Sequence, residues 1–370
     1  MRIQRIILAA AAACVGCTSC VGPNTAQELI SKDLYQDYLK YRDSLGKAQE
    51  AYARLLDSGK LQPCEDSGTS EPTVSNLLTV QVVLGACGCH SMVEAEKWAD
   101  ANADILGDLR ALPAPSGPMS LPADSSFGHH DVPSPGGYTI RHFVLLLLVD
   151  ADQTTIAEER AADIRAVDHL VQVQAMGHSS VELAAALGAE YDKWRFLLAV
   201  AGDRSSEFSG LVKSASVVVS RKDVADMLLQ YHRRFWLECA QKEPFPVTGK
   251  DSVPAQSDLI ALDRTYRDLA DCVRSLDRWG DLDKFKCSLP EGLAKTVILD
   301  YLEHNTAGRN IWFWFRNRDL QRLTCALYEG GLKAVLKVRL DVVKVCPVEG
   351  ESRQMEISFE DKKWIVVAPG

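Results

Sequence analysis

Helix-start signals recur along this 370-residue chain and constrain its fold more than any other feature. In a capping box, a Ser or Thr side chain accepts a backbone N–H of the first helical turn, and a Glu three residues later bonds back to the cap. Such pairs include Thr25 with Glu28, Ser91 with Glu94, Thr155 with Glu158, and Ser179 with Glu182. Apolar residues follow at spacings of three and four. The sequence therefore predicts a mainly α protein.

Residues 17–112 are predicted to form a helical, bundle-like N-terminal region. Within it, large apolar residues recur in alternating steps of four and three: Leu34, Tyr38, Tyr41, Leu45, Ala48, Tyr52 and Leu55. These steps are typical of a helix with one apolar seam. Two interpretations stay open for the seam. It packs within the chain as an antiparallel helical hairpin, or it mediates coiled-coil self-association through residues 34–55.

The segment 113–137 differs in composition, because it is dense in proline, glycine and serine. Prolines at this density exclude a continuous helix and favour an extended linker or surface loop. A second helical, bundle-like region is predicted over 138–250. Its longest apolar run, Phe143 to Val149, suits a buried element, since a membrane-spanning helix needs about 20 apolar residues.

Residues 251–370 are predicted to form a small α+β region. Alternating apolar residues in Gly331–Cys346 and in Arg353–Ala368 predict two strands, and Pro347–Ser352 predicts the turn of a closing antiparallel hairpin. Helices that lead into such a hairpin, with Lys363–Val367 near its end, are similar to the tail of NTF2-like domains. The resemblance implies a cone-shaped domain with a pocket for a small ligand.

The first residues have the pattern of an export signal. Arg2 and Arg5 precede the apolar run Ile6–Ala13, which is too short to anchor the chain as a helix. Such a segment is normally removed, so it forms no part of the mature fold. We expect residues 1–16 to be a signal peptide.

The end of this segment, Val15-Gly16-Cys17, resembles the lipobox of bacterial lipoproteins, although Cys14 stands where that family usually has Leu. The resemblance implies lipid attachment at Cys17, with Cys20 as the alternative. It also implies an exported, membrane-tethered lipoprotein that faces the periplasm, or lies in the outer membrane of a Gram-negative host. An ordinary secretory signal is the competing interpretation.

Export matters for the cysteines, because disulfides persist in oxidising compartments. Eight cysteines lie beyond the signal region: Cys64, Cys87, Cys89, Cys239, Cys272, Cys287, Cys325 and Cys346. We expect disulfides among them, with Cys64 paired to Cys87 or Cys89 and the other pairings open. Neither Cys87–His90 nor His129–Asp131 is accompanied by the second ligand pair of a structural zinc site. The sequence therefore predicts no metal and no cofactor.

One basic and aromatic stretch is the candidate binding surface. Residues 305–344 contain eight basic and three acidic residues, whereas the whole chain has a net charge of −9. Arginine next to aromatic rings can bind anions through paired hydrogen bonds and can stack on planar groups. The candidate residues are Arg309, Trp312, Trp314, Arg316 and Arg318. The expected partner is an anion of the cell envelope or a protein, and the alternative is that the aromatic residues fill a core.

The acidic balance argues against nucleic-acid binding. The chain has no phosphate-binding loop, dinucleotide fingerprint, zinc-binding helix motif or nucleophile elbow, so we assign no catalytic residue. The sequence favours a non-enzymatic cell-envelope lipoprotein that acts as a binding or assembly module. A hydrolase of cell-wall or lipid substrates and an NTF2-like ligand-binding domain are the alternatives.

Overall fold

The computed structural model describes residues 92–115, 137–175, 180–203, 208–229, 255–304, 306–347, 354–359 and 362–367. The predicted signal, lipobox, 34–55 seam, Cys87–His90 and His129–Asp131 lie outside these ranges. No helix within the described ranges is long and apolar enough to cross a membrane.

The described part is mainly helical, which confirms the predicted class. It contains eleven helices: α1 (Met92–Ala101), α2 (Ala103–Arg110), α3 (Gly137–Gln153), α4 (Ala157–Ala175), α5 (Ser180–Asp203), α6 (Ser209–Ser214), α7 (Arg221–Met227), α8 (Gln256–Ser275), α9 (Trp279–Ser288), α10 (Leu293–His304) and α11 (Thr306–Val335). It contains three strands: β1 (Lys344–Pro347), β2 (Gln354–Phe359) and β3 (Lys362–Val367).

Helix α5 lies at the centre of the described fold. It packs along α11 most extensively and also against α3 and α4. Residues 191–200 of α5 are all buried, and so is the apolar run Phe143–Val149 of α3, as its sequence predicts. Burial of this apolar surface is the main force that holds the four helices together.

Helix α4 begins at Ala157, two residues after the predicted cap Thr155. Just before the helix, the Thr154 hydroxyl accepts the N–H of Ile156 at 3.3 Å and donates to Glu159 Oε2 at 2.8 Å. These bonds join the residues before α4 to its first turn.

The C-terminal strands form one antiparallel sheet in the order β1-β2-β3. The single strand predicted over Gly331–Cys346 is wrong for most of its length, because α11 continues to Val335 and β1 begins only at Lys344. Gly331 has φ +61°, a conformation that costs glycine little, so the helix bends there instead of ending. The run Arg353–Ala368, predicted as one strand, contains both β2 and β3.

The described cysteines do not form the expected disulfides. All four are free thiols: Cys272, Cys287, Cys325 and Cys346. They belong to α8, α9, α11 and β1, and the thiols of Cys287 and Cys346 are exposed. Burial raises the pKa of the half-buried Cys272 and Cys325 thiols. The predicted pair of Cys64 with Cys87 or Cys89 lies outside the described residues.

Candidate functional site

Helix α11 carries all five residues of the predicted binding surface, but it does not present them on one side. Successive residues of an α-helix are rotated by about 100°, so residues two positions apart point roughly 200° apart. Arg316 and Arg318 therefore belong to opposite faces of α11. Arg309, Trp312 and Arg316 follow a spacing of three and four and share a face.

The first face forms what we call the guanidinium–aromatic cluster, made of Tyr191, Arg309, Trp312, Phe313 and Arg316. The Arg316 guanidinium carbon lies 3.4 Å from the ring centroid of Tyr191, 4.4 Å from that of Phe313 and 4.9 Å from that of Trp312. Arg309 is exposed, and its guanidinium carbon lies 5.4 Å from the Phe313 ring centroid. Cations over aromatic faces are attracted by the ring quadrupole. The cluster thus places two arginines against three rings.

An ionic group centred on the buried Asp192 supports this cluster from the side of α5. The Asp192 carboxylate accepts Arg141 Nε of α3 at 2.8 Å and Arg195 Nη1 at 3.4 Å. Arg195 also lies over the ring of Tyr191, with its guanidinium carbon 5.3 Å from the centroid. These contacts fix the ring on which Arg316 stacks.

The protonation states within the cluster follow from burial and charge. Burial raises the pKa of the Tyr191 phenol, although the charges of Arg316 and Arg195 act in the opposite direction. Burial lowers the pKa of Arg195, and the neighbouring Tyr191 and Asp192 oppose that change. Tyr191 therefore remains a neutral phenol at neutral pH and offers a ring face.

The opposite face of α11 is packed into the protein. Trp314 is 7% exposed, and the guanidinium carbons of Arg318 and Arg221 lie 5.5 Å and 5.9 Å from its ring centroid. Arg318 Nη1 donates to the backbone oxygen of Asp277 at 3.1 Å. Trp314 and Arg318 are thus separated from Arg309, Trp312 and Arg316. The buried Trp314 and Phe315 agree with the alternative interpretation, in which part of the aromatic run fills a core.

Three residues of this region, Arg141, Tyr191 and Arg195, were missed in the sequence. They lie more than 100 residues before Arg316, on α3 and α5. The sequence contains one signal of this ionic group. Residues 190–195 place four charged residues inside an otherwise apolar helix, and buried charges need partners.

A second ionic group on α5 has a structural role. Lys193 Nζ, fully buried, donates to Asp168 Oδ1 at 2.7 Å and to the backbone oxygen of Ser216 at 2.9 Å. The Glu190 carboxylate accepts the N–H groups of Val218 and Val219, and its pKa is raised by burial. These bonds fasten the segment before α7 onto α4 and α5.

Two carboxylates also converge where α2 meets α3 and α4. Arg110 donates to Asp150 and to Asp163, and the Asp163 side chain is fully buried. Asp163 is out of reach of a substrate, and the partly exposed Asp150 is held by Arg110, so this pair gives no support to the hydrolase alternative. Within the described residues, no group of three or more His, Cys, Asp or Glu side chains is arranged to hold a metal ion.

No family model, no curated protein and no solved structure matches this chain.

Proposed function

We propose that the protein is a non-enzymatic, exported lipoprotein that binds an anionic partner through the guanidinium–aromatic cluster. The observation that carries the proposal is the position of Arg316, stacked 3.4 Å from the ring centroid of Tyr191 beside the exposed Arg309. Stacking holds the Arg316 side chain in place, so less conformational entropy is lost when a ligand binds near it. Arg309 is then the residue that reaches the ligand.

Anionic lipid headgroups are the partner class that fits best with a lipid anchor. A protein tethered by its N-terminus meets membrane surfaces at high effective concentration. Aromatic residues such as Trp312 favour the region of the headgroups, and arginine adds attraction to their phosphates. Lipopolysaccharide phosphate and cell-wall carboxylates share this anionic chemistry.

Vesicle sedimentation tests the cluster. The chain without its signal segment, with Cys17→Ser to prevent acylation, is mixed with vesicles that contain or lack anionic phospholipid. One arginine near an anionic surface contributes about 1 kcal/mol, so Arg309→Gln should weaken binding about fivefold. The matched control is Arg264→Gln, which removes an exposed arginine of α8, outside the basic stretch 305–344, and should bind like the wild type. Equal binding by wild type and Arg309→Gln, or no preference for anionic vesicles, would refute the proposal.

Mass spectrometry of the membrane fraction tests the anchor independently. We expect a mature N-terminus at an acylated Cys17, and release into the soluble fraction after Cys17→Ser. Acylation that persists in this variant would instead assign the lipid to Cys20. An unprocessed Met1 in the purified protein would contradict both export and anchoring, whatever the vesicles show.

The finer architecture is part of the same proposal. The helices of regions 17–112 and 138–250 form bundle-like units, and the C-terminal α+β region ends in an antiparallel hairpin. The helix predicted over residues 34–55 either packs within the chain as part of a hairpin or joins two copies of the chain. Sedimentation equilibrium distinguishes the two, because a concentration-independent monomer would contradict self-association.

A further inference from the structure

Helices α1 and α2 contact the rest of the described fold mainly through α3 and α4. They pack on α3 and α4 through buried apolar side chains, among them Ile105, Leu106 and Leu109. The last residue of α2, Arg110, adds the ionic contact of this interface. It joins one carboxylate on each of the two helices beneath it.

The geometry of this contact is asymmetric. Arg110 Nε donates to Asp163 Oδ1 of α4 at 2.6 Å, and Arg110 Nη2 donates to Asp150 Oδ2 of α3. The Asp163 side chain is fully buried, whereas about a quarter of the Arg110 side chain and a similar share of Asp150 remain exposed. Asp163 Oδ2 is buried and makes no hydrogen bond within the described residues.

One guanidinium faces two carboxylates, so the group carries a net negative charge when both are ionised. Burying an uncompensated charge is costly, and a group in such a place tends to keep its proton. Burial accordingly raises the pKa of Asp163 to about 7, Arg110 opposes this rise, and the Asp150 charge adds to it. With Asp163 protonated, the charges of Arg110 and Asp150 balance.

Other charged groups lie on the helices of this interface. Arg160 of α4 is buried, with its guanidinium carbon 4.6 Å from the Phe208 ring centroid, and Asp104 and Asp108 of α2 are exposed. Glu159 of α4 attracts Arg110 and accepts the Thr154 hydroxyl. His169 of α4 lies with Nδ1 3.0 Å from the backbone oxygen of Leu112, just after α2. Asp168 is bound by Lys193 of α5.

We propose that Arg110, Asp150 and Asp163 form a pH-sensitive latch that holds α1 and α2 against α3 and α4. The latch is closed while the Asp163 carboxyl group keeps its proton and only Asp150 is ionised. It loosens when Asp163 ionises and the interface must bury a second negative charge. The inference is independent of the proposed ligand and anchor.

The sign of the effect follows from proton linkage. Asp163 has a raised pKa in the docked state and returns toward its ordinary value of 3.8 when α2 separates and water reaches it. The docked state therefore binds more protons, and docking weakens as pH rises toward and past 7. With these two values, the docking equilibrium should fall about tenfold between pH ~6 and ~8.

Hydrogen exchange of the full chain, measured by mass spectrometry on peptides from residues 92–112, tests the latch. After correction for the intrinsic pH dependence of exchange, protection should fall about tenfold over that range. In Asp163→Asn the change should be less than twofold, because the group no longer titrates. Asp271→Asn removes an exposed carboxylate of α8 and should keep the wild-type profile.

A second variant keeps the test decisive if Asp163→Asn does not fold. Asp150→Asn removes the charge that opposes ionisation of Asp163, so the loss of protection should move to lower pH. Constant protection in the wild type, or an unchanged pH profile in either folded variant, would overturn the latch. Peptides from α11 serve as the internal reference and should not follow this profile.

Discussion

Replacing Lys193 with methionine should destabilise the protein more than any loss of a surface ion pair. Nζ of this residue is fully buried and bonds to Asp168 and to the oxygen of Ser216. It also lies 3.7 Å from the equally buried Glu190 carboxylate. Methionine retains most of the aliphatic length but leaves Glu190 without its cation.

The expected magnitude comes from the buried charge that remains. Removing one partner of a buried ion pair typically costs about 3–5 kcal/mol, because the other charge stays desolvated. A protein of marginal stability has about 5–15 kcal/mol in total, so this loss is a large fraction. The double variant Glu190→Gln/Lys193→Met leaves neither of these two charges buried. Its free energy of unfolding should therefore be at least about 1 kcal/mol higher than that of Lys193→Met.

Urea unfolding followed by circular dichroism measures these changes in the free energy of unfolding. Lys295→Met is the matched control: it breaks a 2.5 Å ion pair with Glu291, whose side chain is 91% exposed. Such exposed ion pairs typically contribute only about 0.2–1 kcal/mol. A loss below about 1 kcal/mol for Lys193→Met, or a double variant as unstable as the single one, would refute the reasoning.

Three further predictions concern backbone contacts and thiols. Asp319→Ala should cost about 2–3 kcal/mol in urea unfolding, because one oxygen of this buried carboxylate accepts three successive N–H groups of the segment before β1; a loss near zero would contradict that anchoring. Gly308→Ala should destabilise by at least about 1–3 kcal/mol, since the new methyl group would overlap the backbone oxygen of Leu302. Gly188→Ala, in open space within α5, should instead stabilise by about 0.5–1 kcal/mol. Finally, the exposed Cys287 and Cys346 should react with iodoacetamide faster than the half-buried Cys272 and Cys325, whose raised pKa lowers the thiolate fraction; equal rates or the reverse order in peptide mass spectrometry would contradict control by burial.

Local sequence patterns predicted the helices because the buried apolar residues of a helix recur every three or four positions. The apolar run Phe143–Val149 is buried in α3 as expected, and α5 begins at Ser180, directly after the predicted cap Ser179. The same logic failed at Gly331–Cys346. Alternating Val and Leu favoured a strand there, but Val335, 2% exposed, is buried as the last residue of α11. Packing against the rest of the fold outweighed a weak local preference.

The candidate site shows a different limit. The sequence identified Arg309, Trp312 and Arg316, because charge and aromatic rings stand together in the chain. It also grouped Trp314 and Arg318 with them, although the rotation of the helix places these residues on the opposite face. Residues that are adjacent in the sequence of a helix point in different directions, so they do not form one surface.

The sequence by itself determined the mainly α class and the position of the arginine-rich helix. Only the tertiary structure decided that Arg316 stacks on Tyr191 and that Arg110 joins Asp150 to Asp163. The physical reason is the separation along the chain of the residues that interact. Helix starts and buried faces depend on residues a few positions apart, whereas these contacts join residues 40 or more positions apart, and packing of whole helices brings them together.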